Sequence, residues 1–173
     1  MSASGSLANN VSIQEGNVYT VIGTSVITST QMIPVHIINN DTSLILVVDR
    51  IVVQGASLGL IVPNTSSYFS LGYGRTVTSG GTSLTTVNLN RTSTKSASIT
   101  ALGSNPNMTG TFVESHRSYA QPNATPFELI STRSNDIVLG RSNTLEVQYN
   151  SNHISGAILV VIKFMMTDPE NMS

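Results

Sequence analysis

The sharpest chemical signal in the chain is Gly55-Ala56-Ser57-Leu58-Gly59, which fits G-x-S-x-G, the pattern that seats a nucleophilic serine on a tight turn between a strand and a helix. It follows a strongly apolar stretch, and Asp136 and His153 come later in the order that such hydrolases use. The local context opposes this chemistry. The turn needs a helix directly after the serine, but Leu60-Ile61-Val62-Pro63-Asn64-Thr65 follows, with a proline and β-branched residues. No helical periodicity elsewhere could build α/β layers. No catalytic residue is therefore assigned, and the chain is expected not to be an enzyme.

Metal chemistry fares no better. Zero cysteines exclude zinc ribbons, disulfide frameworks and a thiol nucleophile. Of His36, His116 and His153, only His116 has an acidic residue two positions away. Glu114-Ser115-His116 would put both side chains on one strand face, which reads as a solvated polar face. Asn39-Asn40-Asp41 and Asn135-Asp136 could offer oxygens to calcium, but Asx-turns account for them more simply. No metal and no cofactor is expected.

Two further features concern recognition. Asp49-Arg50 interrupts an apolar stretch. Adjacent residues of a regular strand point to opposite faces, so each needs a separate partner, either solvent or an ion pair across a subunit boundary. Tyr68, Phe69 and Tyr73 cluster between Ser67 and Gly74, in a chain with no tryptophan, and form a possible ligand patch for a glycan.

Behind these residues stands an unusual composition. The 173 residues suffice for one domain with a sizeable core. Charged residues make up 10%, against roughly 25% in an ordinary soluble domain. Small polar residues fill the gap, with 25 Ser, 20 Thr and 16 Asn. A net charge of −1 gives no electrostatic case for nucleic acid or an anionic membrane. No apolar run reaches the length of a membrane helix. The start, Met1 to Asn10, lacks the charged and apolar regions of a secretion signal. The seven Asn-x-Ser/Thr sequons, at Asn10, Asn40, Asn64, Asn90, Asn107, Asn123 and Asn171, are read as a product of that composition.

The same composition, rich in Val, Ile and Thr and poor in Ala, Glu and Lys, favours strands. About ten to twelve short strands are predicted, divided by turn clusters. The expectation is an all-β protein: an antiparallel two-sheet sandwich of jelly-roll type over residues 11–167, with a polar N-terminal arm at 1–10 and a tail at 168–173. Within it, Val11–Gln14 and Asn17–Ile22 open the series. Pro34 predicts that Gln31–Ile38 lies at a sheet edge, or begins near that residue. Leu84 and Leu89 are out of phase, which predicts a bulge between them.

Two runs, Leu44–Val53 and Ala157–Met166, are apolar on both faces. One core between two sheets does not need both, so the surplus is read as subunit interface, assigned to Leu44, Leu46, Val48 and Arg50 with Ile158, Val160, Ile162 and Phe164.

Cys-free, charge-poor and rich in Ser, Thr and Asn, with a polar arm, these two runs and an Asn/Ser turn before the closing strand Gly156–Met166, the chain resembles small virion structural proteins of tailed bacteriophages. These are capsid decoration proteins, or head and tail proteins with jelly-roll or related sandwich domains. The resemblance implies a non-enzymatic part of a virion, assembled in the host cytoplasm, that forms a homo-oligomer, with a trimer favoured. Its partners would be other virion proteins, such as the major capsid or tail proteins, with no nucleic acid and no membrane. The alternative is a receptor- or glycan-binding module of a tail tip or fibre, using the Tyr68, Phe69 and Tyr73 patch.

Overall fold

The structure is a computed structural model and describes residues 15–56, 67–120, 125–130, 137–151 and 155–172. The strands are β1 (Val18–Val26), β2 (Gln31–Asn39), β3 (Ile45–Ala56), β4 (Tyr68–Tyr73), β5 (Thr76–Ser79), β6 (Thr82–Ser83), β7 (Thr86–Asn88), β8 (Ile99–Gly103), β9 (Asn107–Thr109), β10 (Val113–Tyr119), β11 (Phe127–Ile130), β12 (Ile137–Leu139), β13 (Thr144–Asn150) and β14 (Ala157–Thr167). A short 3-10 turn, Pro169–Met172, lies in the predicted tail. The arm at 1–10 and Val11–Gln14 lie outside the described residues.

Two six-stranded antiparallel sheets make the sandwich. Sheet A runs β11-β3-β14-β1-β7, with β12 also paired to β3; sheet B runs β10-β4-β13-β2-β8-β6. Successive long strands alternate between the sheets, except that β4 and β10 are neighbours in sheet B. Taking β11 and β12 as one interrupted strand on the edge of β3, the eight principal strands are ordered 6-3-8-1 in sheet A and 5-4-7-2 in sheet B. That is the double Greek key of a jelly roll; the strand pattern by itself points to a two-sheet sandwich or barrel.

The core lies between the sheets. Val21, Ile162, Phe164, Leu46 and Ile51 from sheet A meet Val35, Ile37, Leu71, Val147 and Tyr149 from sheet B, all buried. Tyr19 stacks on Phe164 at 5.6 Å, and Phe69 packs on Tyr149 at 4.8 Å. A fully buried side chain of this size contributes about 1.5–3 kcal/mol.

Three expectations change. Gln31–Ile38 is not an edge strand: β2 is flanked by β13 and β8. Its proline is tolerated because β8 pairs only with His36–Asn39, and because two residues, Ile33 and Pro34, stand opposite Gln148 alone. A bulge of this kind removes the need for the missing N–H. The phase break between Leu84 and Leu89 is a change of sheet. β6 pairs with β8 in sheet B, and β7 pairs with β1 in sheet A. Finally, β5 and β9 form a two-stranded sheet of their own. It prolongs the β4–β10 ribbon beyond Gly74 and Gly110, both at φ 96°, and crosses the outer face of sheet B as a strap. One strap strand leads from β4 towards β6, and the other returns from β8 to β10.

Gly23 shows how closely the sheets approach at the β2 bulge. A Cβ there would lie 2.3 Å from Val35 Cγ2 and 2.5 Å from the Pro34 carbonyl oxygen. Gly23→Ala is expected to cost about 1–3 kcal/mol through overpacking, which for a domain of this size lowers Tm by roughly 3–10 °C. Thermal denaturation checks this, and an unchanged Tm refutes it.

Candidate interaction surfaces

The outward faces of the two sheets differ in kind. On sheet A, the register aligns Ile22 with Val161 and Val52, and Met165 with Val47 and Val138. Ile22 (50% exposed), Val26 (68%), Val87 (51%) and Val138 (36%) stand out to solvent, while Leu159, Val161, Val52, Val47 and Met165 are half-buried between them. An antiparallel sheet with one solvated face ordinarily carries polar residues there. This one is mostly aliphatic.

The assignment of faces along the two doubly apolar runs is therefore reversed. Leu46, Val48, Ile158, Val160, Ile162 and Phe164 are buried in the chain's own core, and Leu44 packs against its margin. The alternate residues, Val47 and Val52 with Leu159, Val161 and Met165, face out. Both sets are aliphatic, so alternation carried no information about which looks inwards.

Arg50 does lie on the outer face, for a reason strand alternation missed. Val48 and Arg50 pair with consecutive residues Phe164 and Lys163, so Asp49 is an extra residue in β3. With Val48 and Ile51 both in the core, Asp49 and Arg50 both fall on the outside rather than on opposite faces. Each finds an acid or base within the chain. Asp49 Oδ2 lies 2.8 Å from Lys163 Nζ, and Arg50 pairs with Glu128. The face thus carries two acids and two bases, already matched.

Sheet B turns a polar face outwards, and the strap closes over it. Glu146 and Gln148 on β13, Ser70 on β4 and His36 on β2 are all buried. Arg75, at the root of the strap, clasps Glu146 with two contacts, one of them Nε to Oε2 at 3.1 Å. Gln148 Nε2 donates to Glu146 Oε1 at 2.6 Å, and Gln31 Nε2 donates to Gln148 Oε1 at 3.1 Å. Phe112 lies over the Arg75 guanidinium, and its ring occupies the space a Cβ on Gly72 would need. His36 Nε2 meets the Arg75 carbonyl oxygen at 3.3 Å, and its Nδ1 is buried without a hydrogen-bond partner among the described residues. Burial lowers the His36 pKa, outweighing the Arg75 carbonyl and the Glu146 carboxylate, which favour the charged ring.

The remaining candidates separate. Phe69 is fully buried in the core, whereas Tyr68 points outwards under the Arg117 guanidinium, 4.3 Å from its ring. Tyr73 sits at the far end of β4, half exposed. The three aromatics therefore form no common patch. Glu114 and His116 do not share a face either, because Ser115 is an extra residue between them. Glu114 instead bonds Arg117 at 2.9 and 3.0 Å and accepts from Ser70 at 2.7 Å. Those bonds, that to Arg117 foremost, hold its pKa below the usual range. At Asn39-Asn40-Asp41, Asp41 Oδ1 accepts the backbone N–H of Leu44 and Ser43, which lowers its pKa, and Asn39 Oδ1 accepts that of Asp41. These are Asx-turns. Gly55 faces Tyr149, 3.0 Å from where a Cβ would stand, so a packing need accounts for this glycine. Ser57, Asp136 and His153 lie outside the described residues, among which no group of three potential metal ligands converges.

Tyr73 borders a cleft of about 490 Å³ between the β4–β5 corner and the β12–β13 turn. Ile137, Leu139 and Leu145 form its apolar part, and Thr76, Ser142, Asn143 and Thr144 its polar part. The Gly74 N–H donates to Thr144 Oγ1 at 3.3 Å and ties the two walls together.

No family model, curated protein or solved structure matches the chain.

Two outcomes are expected of the strap network. Arg75→Met leaves Glu146 buried without its cation and is expected to destabilise the protein by about 3–5 kcal/mol, with much of the loss recovered in Arg75→Met/Glu146→Met. Urea denaturation of the single and double variants decides it. For His36, the unfolded chain takes up a proton near pH 6.5 and the folded chain only at lower pH, so stability is highest above that pH and falls as pH drops below it. Tm is expected to decline from pH 7.5 to pH 5 and the decline to flatten in His36→Gln. Asp41 and Glu114 have lowered pKa values and contribute only to a separate loss below about pH 4.5.

Proposed function

We propose that the protein is a non-enzymatic structural subunit that self-associates through the outer face of sheet A and serves as a part of a phage virion, docked on a capsid or tail. The observation that carries this reading is the aliphatic face of the β1, β14 and β3 strands, which no described residue covers, with its four charges paired inside the chain. Five strands abreast at about 4.8 Å, averaging about eight residues at 3.3 Å, make a face of about 600 Å². That approaches the roughly 800 Å² per partner of a stable interface.

A second copy of the same chain suits this face better than a charged partner. Two acids and two bases sum to zero, so like faces do not repel, and no net field is left to attract a partner of opposite charge. Closed symmetric oligomers are the usual outcome of self-association, and among them the resemblance to phage virion proteins favours a trimer. The resemblance to small phage virion proteins supports a place on a particle.

Light scattering on the purified protein at micromolar concentration tests the reading. The expected mass is that of three chains of 18.3 kDa, about 55 kDa. Ile22→Asp and Val161→Asp are expected to shift it to the monomer, while far-UV circular dichroism keeps the strand signal. A monomeric wild-type protein overturns the reading.

A further inference from the structure

We propose that the cleft beside Tyr73 binds a neutral saccharide, with one sugar ring stacked on the tyrosine and its hydroxyls met by the β12–β13 turn. This goes beyond assembly and does not depend on it.

Charge sets the class of ligand. Arg75 is the one ionisable side chain other than Tyr73 among the described residues lining the cleft, and its guanidinium is taken up by Glu146. Among the described lining residues, no charge is therefore free for a phosphate or a carboxylate. A ligand that fits is uncharged.

Shape and polarity narrow it further. Tyr73 presents a half-exposed ring, a flat apolar surface with a hydroxyl at its tip. Around it, the side chains of Thr76, Ser142 and Asn143 make no hydrogen bond within the described chain, so their hydroxyls and amide are open to a ligand. Asn143 offers a donor and an acceptor together. A pyranose has the matching surface, with one apolar face of C–H groups and a rim of hydroxyls that both donate and accept. The volume, about 490 Å³, falls in the range of small-molecule sites. The walls are set before the ligand arrives. Gly74 N–H bonds Thr144 Oγ1, the Asn143 N–H bonds the Gly140 carbonyl at 3.1 Å, and Ser142 holds φ at 60° in the turn. No Asp or Glu lines the cleft among the described residues, so the paired carboxylates of glycoside hydrolysis are missing. The geometry fits binding without cleavage.

Saturation-transfer NMR on the full chain, with the methyl glycosides of glucose, galactose and N-acetylglucosamine as probes, tests this. At least one is expected to receive saturation on its ring protons. Tyr73→Ala is expected to weaken that binding at least tenfold, and Asn143→Ala, which keeps its backbone bonds to Gly140 and Asn39, to weaken it severalfold. Tyr68→Ala, at the other end of β4, is expected to leave it unchanged. Unchanged melting curves establish that the variants fold. No transfer to any probe, transfer undiminished in both Tyr73→Ala and Asn143→Ala, or displacement of the sugar by inorganic phosphate overturns the proposal.

Discussion

The structure depends on β14 lying between β1 and β3. That strand is registered against nine residues of β1 on one side and against β3 from Ile45 to Ala56 on the other. Its inner residues, Ile158, Val160, Ile162 and Phe164, form the middle of the core. Its outer residues, Leu159, Val161 and Met165, form the middle of the exposed face. Core and surface are thus two sides of one strand pair, and a substitution that strengthens one face acts on the register of the other.

The two sheets resolve opposite problems. Sheet B has polar residues on its outer side, yet that side is buried, because the strap lies across it. The cost of burying Glu146 is met by Arg75, Gln148 and the packed ring of Phe112. Such a network stabilises little compared with an apolar patch of the same shape, but it accepts only one placement of the strap. Sheet A has an apolar outer side that nothing within the described chain covers.

How much of this was legible in the sequence follows from the same contrast. The strand-rich composition and the spacing of turns carried the fold class, and the two aliphatic runs marked the β3–β14 pair. Orientation was not legible there. Leu46 and Val47 are equally apolar, so alternation could not say which faces in. Three of the bulges were hidden for a related reason. An extra Asp49, an extra Ser115 and the Ile33-Pro34 step each shift the phase by one residue, and only pairing with Lys163, Gly72 and Gln148 reveals it. Glu114 with Arg117, and Asp49 with Arg50, owe their shared faces to those shifts. The strap was missed because its strands are short and polar, and its partners lie some thirty residues apart in the chain. Of the aromatic cluster, Tyr73 alone reaches the cleft, since residues 68 and 69 necessarily diverge on a strand.

The position of β14 bears on biosynthesis. It follows every other described strand, yet it fills the centre of its sheet. While a ribosome is still translating, β1 and β3 are both present and both lack the neighbour that separates them. A nascent chain at that stage exposes two sticky aliphatic strands with a strand-wide gap between them, which is the condition that favours mispairing or exchange with a neighbouring chain on the same messenger. The gap closes only when residues 157–167 emerge. The surface through which we propose that copies associate therefore forms only after the other described strands have been made.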